Sequence, residues 1–271
     1  MKIQVYMPVF NEVDILPHTL RHLDEQGVTV HVLDGWSTDG SYEYCVPRAL
    51  GNTGLSVERF PAEGPDPIQN CTAILKRIED LAADSDADWC MYSDADEWRR
   101  SCVPGQTLAD TLQALPLAAT AVDFRVYQFY CVDGSWTEPR GCMVDHGVGR
   151  VWVDPVSPER HFQHYDQADY ISRIPNRKLW KNVGRVQLAG GGHEVVFPGM
   201  RVYPQKFVMK HYPFRTPAQA KAKIETRLAR RCAEEHTKGW GVHYDQYPPG
   251  FDFCWDPAKL LYWKDTRSPL P

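Results

Sequence analysis

The first hundred residues alternate between short apolar runs and amphipathic stretches. Ile3-Gln-Val-Tyr-Met-Pro-Val-Phe10 has strand character, and Asn11-Glu12 ends it. Residues 13–26 then place Val13, Leu16, Leu20 and Leu23 on one helical stripe. Pro17 falls in the first turns, where a missing N–H costs least, and Gly27 supplies a helix stop. Residues 28–33 predict a second strand, followed by the turn-rich Asp34-Gly-Trp-Ser-Thr-Asp-Gly40. Strand, helix, strand implies a parallel pair with a right-handed crossover. The alternation continues with a helix over 41–50, a strand over 55–60, a loop over 61–67 and a helix over 68–83. In that last helix Ile74, Ile78, Leu81 and Ala82 repeat at helical spacing. Trp89-Cys-Met-Tyr92 is a continuous apolar run, the mark of a central strand.

The second half reads differently. A helix is expected over 107–115 and one strand over 121–132. Residues 133–176 are loop-rich in Gly, Pro and Asp, and 178–180 and 186–188 are short strands. Gly190-Gly-Gly192 is a turn carrying His193 and Glu194. A strand over 206–210 ends at His211-Tyr212, and a polar helix covers 217–235. An aromatic, Pro-rich tail closes the chain from 239. The pattern predicts an α/β protein whose first hundred residues are suited to a nucleotide.

Composition changes this picture little. The 271 residues are 43% hydrophobic and 24% charged, as in ordinary globular proteins. Nine Trp and thirteen Tyr suit either sugar and base stacking or a well-filled core. A net charge of −5 argues against nucleic acid as a partner. No two of the eight Cys are spaced as Cys-x-x-Cys, so buried free thiols in a reducing compartment are expected. With no leader-like start and no run of membrane-helix length, the expected location is cytoplasmic, with peripheral membrane contact left open.

The chemistry concentrates after the fourth strand, where Asp94, Asp96 and Glu97 crowd together. If the strand continues, Asp94 and Asp96 share a face, and their repulsion calls for a cation. Hard oxygen ligands favour Mg²⁺ or Mn²⁺.

Three motifs in order carry a resemblance: Pro8-Val-Phe-Asn-Glu12, Val32-Leu-Asp-Gly-Trp-Ser-Thr-Asp-Gly40 and Asp94-Ala-Asp-Glu97. Together they resemble the family 2 glycosyltransferases of the GT-A fold. Gly192-His-Glu194 and His211-Tyr-Pro213 are similar to elements of bacterial members that build lipopolysaccharide cores. The resemblance implies a single GT-A domain over 1–271. Its Rossmann-like, mostly parallel central sheet would be flanked by helices. Residues 1–100 would hold a nucleoside-diphosphate sugar, of which a UDP-sugar is favoured, and 101–271 the acceptor: a carbohydrate, a glycolipid or a small molecule.

The resemblance also implies site residues. Pro8, Asn11, Glu12, Asp34, Asp94, Ala95 and Lys178 would line the donor site. Asp94, Asp96 and His211 would hold the metal. Glu194 would be the base of an inverting transfer, with His193 as the alternative base or its orienter. Glu12 either touches the nucleoside or favours the following helix N-terminus, and Asp39 reads as a helix cap. In one place the chain departs from the family: Gly35-Trp36 stands where a second Asp is usual. Two other functions stay open. A sugar nucleotidyltransferase would need a basic Gly-rich loop after the first strand, which Phe10-Asn11-Glu12 lacks. A non-catalytic nucleotide-sugar-binding protein has the Gly35-Trp36 departure in its favour.

Overall fold

A computed structural model of the chain describes residues 1–51, 54–131, 143–145, 175–241, 244–245, 247, 250–254 and 261–262. Most of the 133–176 loop and part of the aromatic tail lie outside them. Two compact units divide the chain: residues 1–124 with 175–209, and 125–174 with 210–271. The strands are β1 Ile3–Val9, β2 Thr29–Asp34, β3 Leu55–Arg59, β4 Trp89–Tyr92, β5 Glu97–Arg100, β6 Ala121–Val122, β7 Phe124–Cys131, β8 Met143–Asp145, β9 Leu179–Lys181, β10 Gln187–Ala189, β11 Glu194–Val196, β12 Phe207–Phe214 and β13 Leu261–Tyr262. The first four helices are α1 Leu16–Glu25, α2 Ser41–Leu50, α3 Cys71–Ala83 and α4 Leu108–Ala114.

The first unit is α/β, with the mostly parallel, helix-flanked sheet expected. Its strand order is β3-β2-β1-β4-β9-β6. β1 pairs in parallel with β2 and β4, and β2 with β3. β9 joins β4 antiparallel, and β6 joins β9 in the same sense. The sheet is built on residues with no other stable place. Val5, Met7, Cys90 and Met91 are fully buried, and burying such side chains stabilises by about 1.5–3 kcal/mol each. Burial pushes the Cys45 and Cys90 thiols up to about 12, so neither is a reactive thiolate. Because β2 and β3 lie on one side of β1 and β4 on the other, strand order reverses between β1 and β4. In open α/β sheets the crevice beyond the carboxyl ends at such a reversal is where ligands bind.

The elements differ from expectation in a few places. Strand pairing stops at Tyr92, so Asp94 and Asp96 lie in a turn rather than sharing a strand face. Residues 97–100 then form β5, which their polarity concealed. The single strand expected over 121–132 is two, broken at Asp123, whose side chain pairs with Lys206 at 2.9 Å and takes the Asn176 N–H at 2.9 Å. α3 begins at Cys71, where the Asn70 side chain accepts the Ala73 N–H at 2.9 Å.

In the second unit β8 pairs antiparallel with β7 and with β13. β12 runs past His211-Tyr212 to Phe214 instead of ending there. The helix Pro217–Arg230 stops short of the expected 235, and a separate short helix spans Ala233–Lys238. Between them Arg231 turns extended and binds Asp245, at 2.9 Å through Nη1. Phe214, Ala220, Ile224 and Phe253 form this unit's core, and Tyr244, Tyr247 and Phe251 of the tail pack on it. Among the described residues, no helix is long and apolar enough to cross a membrane.

Candidate active site

The loops after β1 and β2 are laced together at the strand reversal. The Gly35 N–H donates to the Val9 carbonyl at 2.7 Å, a closeness that a side chain would crowd, since a Cβ there would lie 3.3 Å from that oxygen. The Asn11 N–H donates to Ser37 Oγ at 3.0 Å, and the Thr38 N–H to Asn11 Oδ1 at 2.8 Å. Asn11 itself is left-handed, at φ 55°, a conformation Asn tolerates better than most residues. The Glu12 N–H donates to Ser41 Oγ at 3.1 Å, while the Glu12 carbonyl accepts the Ile15 and Leu16 N–H groups. Asp39 accepts the Ser41 N–H at 2.9 Å and the Val13 N–H at 2.9 Å, but it is not the helix cap expected: Gly40 is the N-cap of α2, with no side-chain cap bond. Pro8 stands on β1 opposite Leu33 of β2.

Asp34 closes β2 with no exposed surface. Its Oδ2 accepts the Ser37 N–H at 3.1 Å. Its Oδ1 is buried without a hydrogen-bond partner among the described groups. Desolvation raises the Asp34 pKa above the usual carboxylate value, against the lowering effect of Ser37 and Arg59. Arg59, at the end of β3, brings Nε to 4.0 Å from Asp34 Oδ2. Its guanidinium carbon stands 4.5 Å from the centre of the Trp36 ring and 4.1 Å from that of Tyr42. Trp36 is left-handed at φ 65° and donates its indole N–H to the Pro61 carbonyl at 2.8 Å. The residue that departs from the family pattern is thus fixed at both ends and faces a cation, an attractive arrangement for an indole.

The second part of the site is the turn after β4. The Ser93 N–H donates to the Tyr6 carbonyl at 3.1 Å, and the Glu97 N–H to the Asp94 carbonyl at 3.1 Å. Asp94 Oδ1 accepts the Tyr92 hydroxyl at 2.9 Å, and Oδ2 accepts Lys178 Nζ at 3.0 Å. Burial holds the Tyr92 pKa well above its ordinary value, so its hydroxyl remains a donor. Lys178 also donates to Glu97 Oε1 at 2.8 Å, and Glu97 Oε2 takes Arg99 together with the Asp94 N–H. Lys178, Glu97 and Arg99 are all buried, whereas 39% of the Asp94 side chain is exposed. Asp96 is buried, at 4% exposure. The Ala95 carbonyl accepts the Thr19 hydroxyl, and Thr19 Oγ1 in turn accepts the Trp98 indole N–H at 2.9 Å. α1 therefore fastens the turn from behind.

The third part is the hairpin of β10 and β11, whose glycine turn has φ of 59°, 69° and 92° at Gly190, Gly191 and Gly192. Such values strain any residue with a Cβ. A Cβ on Gly192 would also lie 3.0 Å from the Tyr92 ring and 3.1 Å from Leu75. The turn thus rests directly on the tyrosine that holds Asp94. Glu194 leads out of it, 27% exposed in its side chain and paired through Oε1 with Arg177. The Val195 N–H donates to the Arg177 carbonyl at 2.9 Å. Consecutive residues Arg177 and Lys178 each grip one of the predicted acids. His193 donates its N–H to the Gly190 carbonyl at 3.4 Å.

The first unit thus gathers Asp94, Asp96, Ala95, Lys178, His193 and Glu194, and places Pro8, Asn11, Glu12 and Asp34 at the neighbouring strand ends. His211 lies on β12 in the second unit. Arg177, Arg59 and Arg99 were missed from sequence. Arg59 had a signal, being the last residue of a predicted strand parallel to the one ending at Asp34; the other two had none.

The residues present accommodate a divalent cation. Asp94 is open to solvent, and each of its oxygens has a second lone pair beyond the bond it already accepts. Among the described residues no three His, Cys, Asp or Glu side chains converge, so oxygens from outside the protein would complete the coordination.

No protein-family model matches the chain, and no curated protein matches it. Solved structures do. A mannosyltransferase from Pyrobaculum calidifontis, PcManGT in complex with GDP-Man and Mn²⁺, is 20% identical, with a TM-score of 0.33 over 52% of this chain and 36% of that one. S. aureus TarS 1–349 is 12% identical, with a TM-score of 0.42 over 84% and 64%. The apo form of the glycosyltransferase GlyE of Streptococcus pneumoniae TIGR4 is 13% identical, with a TM-score of 0.28 over 46% and 30%. The chain thus spans less than two thirds of each.

Proposed function

We propose that this chain is an inverting glycosyltransferase of the family 2, GT-A type. It would move a sugar from a nucleoside diphosphate, UDP by preference, to a hydroxyl of a carbohydrate, glycolipid or small-molecule acceptor. The observation that carries the reading is the pairing of two acids at the strand reversal. Asp34 is buried with an unpartnered oxygen, and Asp94 is held by Tyr92 and Lys178 yet open to solvent. A buried acceptor atom without a partner is costly, and a donor N–H or hydroxyl from a base or ribose would satisfy it. The diphosphate would then lie toward the Asp94–Asp96 turn.

In the reaction Glu194 takes the proton of the acceptor hydroxyl. The acceptor oxygen attacks the anomeric carbon from the face opposite the nucleoside diphosphate, whose bond to that carbon breaks as the new one forms. Tyr92 and Lys178 fix Asp94. Mn²⁺ or Mg²⁺ held by Asp94 and Asp96 would supply Lewis-acid neutralisation of the departing diphosphate. The free cysteines among the described residues support a reducing, cytoplasmic setting.

Glu194→Gln tests the assignment. Transfer should fall by about 10²–10⁴-fold, the usual worth of a general base, with donor affinity retained. Undiminished transfer would remove Glu194 from the mechanism.

A further inference from the structure

The turn that would receive a metal already contains a cation. Lys178 Nζ lies 3.0 Å from Asp94 Oδ2 and 2.8 Å from Glu97 Oε1. The residue is 1% exposed. Its Nζ stands 4.8 Å from the centre of the Tyr92 ring, and its carbonyl accepts the Tyr92 N–H at 2.9 Å. The ammonium is therefore buried in the turn on two carboxylates. Arg99 provides a second fixed cation on the other oxygen of Glu97.

A divalent ion approaching Asp94 from solvent meets this ammonium on the same carboxylate. At such separations the repulsion between a dication and a buried ammonium is strong, because little water screens it. A nucleoside diphosphate changes the balance. It brings negative charge that both cations can share, and oxygen ligands that the protein does not provide.

We propose that Lys178 is a built-in counter-cation of the Asp94–Glu97 turn. It keeps the free protein from holding a divalent ion, which enters only with the diphosphate. The second half of this inference rests on the donor site proposed above; the first half does not. Lys178 is a positioning residue in this account: it acts on the metal through Asp94.

Mn²⁺ binding to the full chain, followed by the electron paramagnetic resonance of free Mn²⁺, tests it. Without nucleotide the wild type should bind Mn²⁺ weakly, and UDP should tighten binding at least about tenfold. Lys178→Met keeps the length and removes the charge; it should bind Mn²⁺ alone at least about tenfold more tightly than the wild type. Lys178→Arg should stay weak. The proposal is overturned if the wild type already binds Mn²⁺ tightly without nucleotide, or if a folded Lys178→Met gains nothing. Should Lys178→Met fail to fold, the wild-type comparison still decides. A gain in Lys178→Met with no response of either protein to any nucleoside diphosphate would overturn the donor site and leave the counter-cation standing.

Discussion

Asp34 is a carboxylate folded at a cost. A group whose pKa is raised in the folded chain binds its proton more tightly there than in the unfolded chain. Its charged form therefore subtracts stability at neutral pH, and the deficit disappears as pH falls toward the unfolded carboxylate value. Asp34→Asn should accordingly match or exceed the wild type in stability at neutral pH, with the difference shrinking in acid, and should lose the response to nucleotide. Urea unfolding across the pH range measures the first effect and calorimetry the second. A variant that is less stable at every pH and still binds nucleotide would contradict the role given to Asp34. The places of single residues follow from the strand pattern where a strand end marks them: Asp34 closes β2, Asp94 follows β4 and Lys178 precedes β9. Arg177 was not legible, because its partner Glu194 is brought alongside only by folding. Nor was the seat of Trp36, which depends on Arg59 and Pro61.

Among the elements, the glycine turn at 190–192 shows how a hairpin is tied to a strand it does not pair with. Gly192 meets the Tyr92 ring where a Cβ would lie 3.0 Å away, whereas Gly184, also at positive φ, has nothing within 4 Å. Both would be strained as alanine, at about 1–3 kcal/mol each. Only Gly192→Ala must also displace the tyrosine that holds Asp94. It should therefore cost more than Gly184→Ala in denaturant unfolding and weaken donor binding, which Gly184→Ala should not. Equal losses would show that the contact with Tyr92 carries no weight. Elements with a clear period were read almost to the residue, as at 41–50 and 89–92. Those shaped by distant partners were not. Asp123 splits a strand because Lys206 and Asn176 claim it, and Arg231 ends a helix at the point where it binds Asp245. β5 escaped notice because Glu97 and Arg99 are buried as a pair rather than as apolar side chains.

For the whole molecule, alternation of strand and helix was enough to predict a mostly parallel sheet, and the reversal of strand order explains why the motif residues meet. The elements of residues 1–100 were placed more sharply than those of 101–271, because much of the second stretch lacks a period. The claim that unites these features is that the strand reversal holds a nucleoside diphosphate. Its most direct test is thermal unfolding of the protein with UDP, GDP, dTDP or CMP, each with Mn²⁺ or with EDTA. A ligand at a hundred times its dissociation constant stabilises by about 2.7 kcal/mol, which raises the midpoint of a chain this size by about 5–10 °C. The account predicts such a rise for one diphosphate, UDP by expectation, larger with Mn²⁺ than with EDTA, and none for Mn²⁺ alone. No rise with any nucleotide, with or without metal, would contradict it.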